Sequence, residues 1–451
     1  MFESEAKKSR MHCWKRLRSI KIKNELQRVM NVDSRFREMQ KSTIKIVMTR
    51  QSSVMIVMII EEEKSLLFML STWCSQSDIS IVVMLLIALR QNMKQRCESM
   101  SITCVERNSR WSLDAIKIVL VTSKFAVSDE FQTFINWLQV MQILNRIVID
   151  ECHVMLNEQR NFRWQMQQLR NLMNVKMQMI LLTTTLSLSK EKELWSRMSF
   201  KKTKMTLFRV RTIRKNVKYQ VMKVKSDDQE KKEKFIVQMI QRVMRDYVEE
   251  KIVMYCNSVR KMKKLTKTLN CESYYHHVKQ KDEKLKRFQD DEKKVIVTTS
   301  ALRLRIDILD IRVIIHVDEL RSLMNYAQKS ERARRDELSS QMIVRWKKDD
   351  WEVKSAKEWR IEEMKWVIRF IKNDENDTKA SYWRVMMNKY LNEQKNRREC
   401  KKRKEKYDVC NKMMRLNEKK IVKNAIQKKK RKLLMQNERE LNLMKRQKYD
   451  S

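Results

Sequence analysis

Two adjacent carboxylates and a histidine stand at the end of an apolar run: Arg146-Ile147-Val148-Ile149-Asp150-Glu151-Cys152-His153. Three β-branched residues in succession predict a strand buried on both faces, as in a parallel sheet. In open α/β sheets, ligand chemistry gathers at the carboxyl ends of the strands. An acidic pair there suits magnesium and a hydrolytic water, one carboxylate holding the metal and the next orienting the water. A bare acidic pair is more often a solvated strand end, so its company decides. Lys64-Ser65 lies between the apolar runs 54–60 and 66–70. Thr183-Thr184-Thr185 follows the apolar run 179–182. Far downstream comes Gln328-Lys329-Ser330-Glu331-Arg332-Ala333-Arg334-Arg335.

In that order these stretches resemble the motifs of the superfamily 2 helicases. The Asp-Glu-Cys-His box and its surroundings are most similar to RecQ-type DNA helicases, in particular the divergent copies of fungal genomes. The resemblance spans roughly Arg35 to Val344, and more weakly reaches Cys410. It implies an α/β fold of two tandem RecA-like domains, each a mainly parallel sheet covered by helices, with a helical, basic C-terminal extension. It also implies an ATP-dependent 3′-to-5′ DNA helicase that uses Mg²⁺ and acts on single strands and duplex junctions.

The resemblance carries roles to individual residues. Phe36 and Gln40 match the pair that reads the adenine. Lys64 would balance the β/γ-phosphate charge, Ser65 and Asp150 would hold Mg²⁺, and Glu151 would position the water. His153 would couple the site to Gln328 and to Thr183 and Thr185. Arg332 and Arg335 would serve as arginine fingers. Arg90, Thr122, Ser258 and Thr299 fall in segments that contact nucleic acid. Tyr382, Cys400, Tyr407 and Cys410 match the four cysteines of a zinc module. With two of the four replaced by tyrosine, Cys400 and Cys410 are remnants, and no functional zinc site is expected.

The chain departs from the family pattern wherever glycine is required. The phosphate loop, glycine-rich in the family, reads Glu61-Glu62-Glu63-Lys64-Ser65 here. Ser300-Ala301-Leu302-Arg303-Leu304-Arg305-Ile306-Asp307 carries arginine at two family glycines, and Glu331 and Arg334 stand at two more. The 451 residues contain no glycine and no proline, where average usage predicts roughly 30 and 20. There are 33 methionines and few alanines. A directional G·C-to-A·T mutation process accounts for all of this, and marks the chain as a heavily mutated copy. The alternative function is then a catalytically dead remnant that binds nucleic acid through charge.

The elements that position these residues follow from composition and pattern. With 42% hydrophobic residues the chain can bury real cores. No apolar run is long enough to span a bilayer, and Met1-Phe2-Glu3-Ser4-Glu5 does not read as a signal peptide. Nine scattered cysteines fit a reducing compartment. The net charge of +44 favours nucleic acid as partner, although mutation supplies part of it. We expect a basic segment at 1–30, an ATP-binding RecA-like domain at 31–208, a C-terminal RecA-like domain at 209–380, and a zinc-module remnant with a basic tail at 381–451. The polar stretch 209–235 reads as the junction. The second sheet is expected to begin at Lys251, and 313–317 is its last clear strand. Lys428 to Lys432 is a nuclear-targeting candidate, and no obligate protein partner can be inferred.

Overall fold

The computed structural model describes residues 20–392, except 31–32, 38, 50–52, 59–63, 76–77, 87–88, 107–115, 157–167, 176, 200–204, 211–216, 224–227, 300–307, 309, 331–339, 347–357 and 373–382. Glu61, Glu62, Glu63, the 300–307 stretch, Arg332, Arg335, Tyr382, Cys400, Tyr407, Cys410 and the basic tail therefore lie outside the described residues.

Two all-parallel sheets form the frame. The first contains β1 (Ser53–Val57), β2 (Ile79–Met84), β3 (Cys104–Glu106), β4 (Ile118–Thr122), β5 (Leu144–Asp150), β6 (Gln178–Thr183) and β7 (Met205–Arg209), in the order β3-β4-β2-β5-β6-β1-β7. The strand carrying the acidic pair, β5, is central, between β2 and β6. Its residues from Leu144 to Ile149 are all buried, which explains why Ile147-Val148-Ile149 runs apolar instead of alternating. Helices cover both faces. Among them are α1 (Ile22–Val29), α2 (Gln40–Thr49), α3 (Leu66–Cys74), α4 (Arg90–Ser99), α5 (Asp129–Val140) and α6 (Leu188–Arg197). Helix α5 shows how the chain starts such a helix without glycine or proline. The Ser128 side chain accepts from the Phe131 N–H, Asp129 and Glu130 occupy the first turn, and Phe131, Ile135 and Leu138 form the buried stripe.

The second sheet contains β8 (Val217–Lys223), β9 (Lys251–Tyr255), β10 (Glu272–Tyr274), β11 (Val295–Thr298), β12 (Ile311–His316) and β13 (Ser340–Trp346), in the order β10-β11-β9-β12-β13-β8. Its helices include α7 (Gln229–Asp246), α8 (Val259–Leu269), α9 (Lys281–Gln289) and α10 (Leu323–Ser330). Two expectations are corrected here. The sheet begins before Lys251: β8 lies inside the stretch read as a polar junction, pairing along its whole length with β13. Val217, Tyr219 and Val221 alternate with Lys218 and Gln220, so only one side of this edge strand is buried. Likewise 313–317 is not the last strand, because β13 follows it and pairs with β12 through Met342, Ile343 and Val344.

Two further helices, α11 (Glu358–Lys372) and α12 (Trp383–Asn392), continue the chain after the second sheet. Val367, Phe370, Trp383 and Met387 join the second domain's core. Their far side reaches back to the first domain. Arg209, at the end of β7, donates to the Leu186 carbonyl (2.6 Å) and the Leu391 carbonyl (3.1 Å), and pairs with Glu191. No helix of the described residues is long and apolar enough to cross a membrane.

Candidate nucleotide and nucleic-acid site

The acidic box projects from the carboxyl end of β5. Asp150 closes the strand, and Glu151 follows with a backbone φ of 51°, a left-handed conformation that a non-glycine residue adopts only under constraint. The Asp150 carboxylate accepts from the Glu151 N–H at 2.9 Å, bracing that turn. A short helical turn, Cys152–Leu156, then buries Cys152, Val154 and Met155 beneath the site.

Lys64 and Ser65 precede α3, whose residues from Leu66 to Thr72 are all buried. That burial anchors the end of the phosphate-loop segment against the sheet. Lys64 Nζ lies 2.8 Å from Glu151 Oε1. On the other side, His153 Nδ1 lies 2.9 Å from Thr183 Oγ1 and 3.1 Å from Glu151 Oε2. The Thr183 hydroxyl in turn faces the Thr185 carbonyl at 3.4 Å. His153 Nδ1 sits between the Thr183 hydroxyl and the Glu151 carboxylate, within reach of both. Lys64, Glu151, His153 and Thr183 thus form one chain of contacts across the ends of three elements.

The electrostatics separate the two carboxylates. Burial pushes Asp150 up, the Glu151 charge adds to this, and Lys64, the Glu151 N–H and Arg96 only partly offset it; its pKa is raised to about 6. Burial acts upward on Glu151 too, but Lys64 and then His153 outweigh it and hold this carboxyl well below the ordinary range. Glu151 is a firmly ionised carboxylate, whereas Asp150 is a desolvated one whose charge Lys64 and Arg96 only partly offset.

Among the described residues, no group of three or more His, Cys, Asp or Glu side chains could hold a metal ion by itself. Ser65, which is buried, and Asp150, half-buried at the end of β5, nevertheless supply hard oxygen donors. This set fits Mg²⁺ of the kind that draws most of its ligands from phosphates and water. Gln40 is buried at the start of α2, and its Oε1 accepts from the Arg37 N–H at 2.8 Å.

Across from this centre lie the carboxyl ends of the second sheet. A cavity of about 480 Å³ opens between the two halves. His153 and Lys190 line it from the first, Tyr255, Asn257, Thr299 and Gln328 from the second, and Glu363 from α11. Gln328 is buried, and its Oε1 finds no hydrogen-bond partner among the described residues. His316 stacks on Tyr255 with ring centres 5.5 Å apart, and burial together with Lys329 keeps its pKa well below the ordinary value. Of the other expected nucleic-acid residues, Arg90 pairs with Glu106 at 2.7 Å, Thr122 Oγ1 accepts from the Phe125 N–H, and Ser258 caps α8. Sequence reasoning missed Arg96, whose Nη1 donates to Ser65 Oγ at 3.0 Å; a lone arginine on a polar helix gives no signal. It also missed His316 and Tyr255, which read only as strand ends.

Comparison with known proteins places these features in a family. A sequence profile described as DEAD/DEAH box helicase matches residues 37–194, and one described as Helicase conserved C-terminal domain matches residues 231–337. Over 346 residues the chain is 23% identical to ATP-dependent DNA helicase Q1 of Pongo abelii, covering 72% of this chain and 52% of that protein. Over 241 residues it is 27% identical to RecQ-like DNA helicase BLM of Xenopus laevis, covering 51% and 17% respectively. The chain spans about half the length, or less, of these curated relatives. Among solved structures, the DUF1998 helicase MrfA bound to DNA superposes with a TM-score of 0.58 at 16% identity, covering 72% of this chain and 51% of that one. S. cerevisiae Dbp5 bound to RNA and ADP BeF3 gives 0.55 at 12% identity, covering 77% and 91%. At these identities the structural likeness speaks for the fold alone.

Proposed function

Because this chain belongs to the RecQ-like helicases of superfamily 2, we propose that it is built as an ATP-dependent DNA helicase of 3′-to-5′ polarity. One observation carries the reading. Lys64, Glu151, His153 and Thr183 form a chain of contacts at the carboxyl ends of the first sheet, and Gln328 from the second lines the cavity beside them. An ATP site shared by two domains needs that placement, because binding and release of nucleotide must be felt by both.

In this reading Gln40 reads the base and Lys64 balances phosphate charge, exchanging its bond with Glu151 for the nucleotide. Ser65 and Asp150 would hold Mg²⁺, which when bound would supply charge neutralisation for the nucleotide's phosphates. Glu151, already ionised, orients the attacking water. His153 passes the state of the site to Thr183, and Gln328 faces it from the far side. Arg332 and Arg335 follow α10 in sequence and are assigned as arginine fingers. Arg90, Thr122, Ser258 and Thr299 are assigned to the DNA strand, whose binding by a chain of this charge falls steeply with salt. We also assign the chain to the nucleus, on its basic run 428–432.

Glu61, Glu62 and Glu63 oppose this function. A phosphate cradle works by close approach of backbone N–H groups, and three carboxylates repel a triphosphate. The test is ATP affinity and ATP turnover, with and without single-stranded DNA, for the wild type and for Glu61→Gly/Glu62→Gly/Glu63→Gly. DNA-stimulated turnover that rises in the triple variant, with at least about tenfold tighter ATP binding, is the expected result. DNA binding with no nucleotide binding in either protein would reduce the chain to a charge-driven remnant.

A further inference from the structure

Arg96 stands on the last turn of α4, a helix anchored by buried Met93 and Cys97. Its Nη1 donates to Ser65 Oγ at 3.0 Å, and its charge is felt at Asp150. Under the nucleotide reading above, on which this inference rests, Ser65 and Asp150 are the two side chains that share Mg²⁺. A guanidinium is therefore bonded to one of these two groups, Ser65, and its charge acts on the other, Asp150. It is permanently charged, and its planar fork suits both hydroxyl and phosphate oxygens. Lys64, the other cation nearby, bonds to Glu151 at 2.8 Å and its charge also reaches Asp150; Ser65 is contacted by Arg96. A dication entering this seat must either displace Arg96 or sit within a few ångströms of it, where the repulsion exceeds thermal energy several times over.

We propose that Arg96 is a built-in cation of the nucleotide site: it holds the Ser65–Asp150 seat in the absence of metal and lies against the phosphates when nucleotide binds. Nucleotide binding by this chain then depends only weakly on Mg²⁺. The arginine is a positioning residue for charge and takes no part in bond making.

The experiment uses the full chain and a fluorescent ADP analogue, titrated in excess Mg²⁺ and again in EDTA. For the wild type the two affinities should differ by less than about threefold. Arg96→Gln should bind about tenfold more weakly in EDTA than in Mg²⁺, while Arg96→Lys, which keeps the charge, should stay near the wild type. Melting curves without nucleotide check that the variants fold. Equal Mg²⁺ dependence in wild type and Arg96→Gln would overturn the proposal. So would a wild type that itself needs Mg²⁺ for binding by tenfold or more, a measurement that requires no variant. Absence of nucleotide binding by every protein in both buffers would sink the ATP reading and Arg96's role with it, whereas binding with an unaltered Mg²⁺ response sinks Arg96's role alone.

Discussion

Lys64 Nζ lies 2.8 Å from Glu151 Oε1, although 87 residues separate the two in the chain. Both side chains are nearly buried, with 9% and 13% exposure. Removing one partner leaves a charge that solvent reaches poorly. Lys64→Met should therefore lower the unfolding free energy by about 2–4 kcal/mol, measured by chemical denaturation. The double variant Lys64→Met/Glu151→Gln should recover most of it. If the single variant is as stable as the wild type, the pair contributes nothing to folding.

The second prediction concerns pH. The folded-state pKa of Asp150 is raised to about 6 from its ordinary value of 3.8, so the native state holds this proton more tightly than the unfolded chain. Stability contributed by the protonated form is complete below the unfolded value and lost as pH rises towards 6. Asp150→Asn keeps the acceptor for the Glu151 N–H and removes the charge. It should be more stable than the wild type by about 1–3 kcal/mol above pH 6, with the gap closing towards pH 4. Denaturation curves at the two pH values decide this; a gap that widens in acid would reverse the assignment.

Backbone strain gives a third test. Ser101 and Ser199 each have φ near 53°, and Asn270, at the end of α8, has φ 49°. Serine is disfavoured there, whereas asparagine tolerates the left-handed region. Ser101→Gly and Ser199→Gly should each raise stability by about 1 kcal/mol. Asn270→Gly should change it by less than about 0.5 kcal/mol. Serine is one product expected when glycine codons mutate from G·C to A·T, so such reversions would also fit the chain's missing glycines. Unchanged melting temperatures for both serine variants would count against strain at these turns.

The bond from His153 to Thr183 yields the fourth. Thr183→Val keeps the shape and removes the hydroxyl partner of a nearly buried imidazole, and should lower stability by about 1–2 kcal/mol. In the ATPase assay it should diminish the stimulation by DNA while leaving nucleotide affinity within about twofold. Equal losses in affinity and stimulation would mean that the bond merely supports the site.

Much of this arrangement was legible because burial writes itself into sequence. The apolar runs of β1, β2, β5 and β6 are buried on both faces and read as strands without any structure. The acidic box could be placed because it follows such a run. Edge strand β8 was missed because Val217, Tyr219 and Val221 are spaced out by basic and polar residues, and the overall charge hid the alternation. Strand β13 was missed because its apolar run, Met342-Ile343-Val344, is only three residues long in a charged neighbourhood. Arg96 could not have been found at all. Its meaning comes from where α4 lies relative to Ser65, a tertiary relation with no periodicity to betray it. The left-handed turn at Glu151 is equally silent, since the residue type gives no warning of its dihedral.

Arg209 joins the last strand of the first sheet to Leu391, near the end of the last described helix. The two halves are therefore tethered twice: by the covalent crossing between Arg209 and Val217, and by a return strap of α11 and α12 docked on the first domain. A body hinged at two points can rock but cannot swing apart. A single protease nick within 211–216 should accordingly leave the fragments co-migrating in native gel filtration, and they should separate only after the strap is also cut away upstream of Glu358 or weakened by Arg209→Ala.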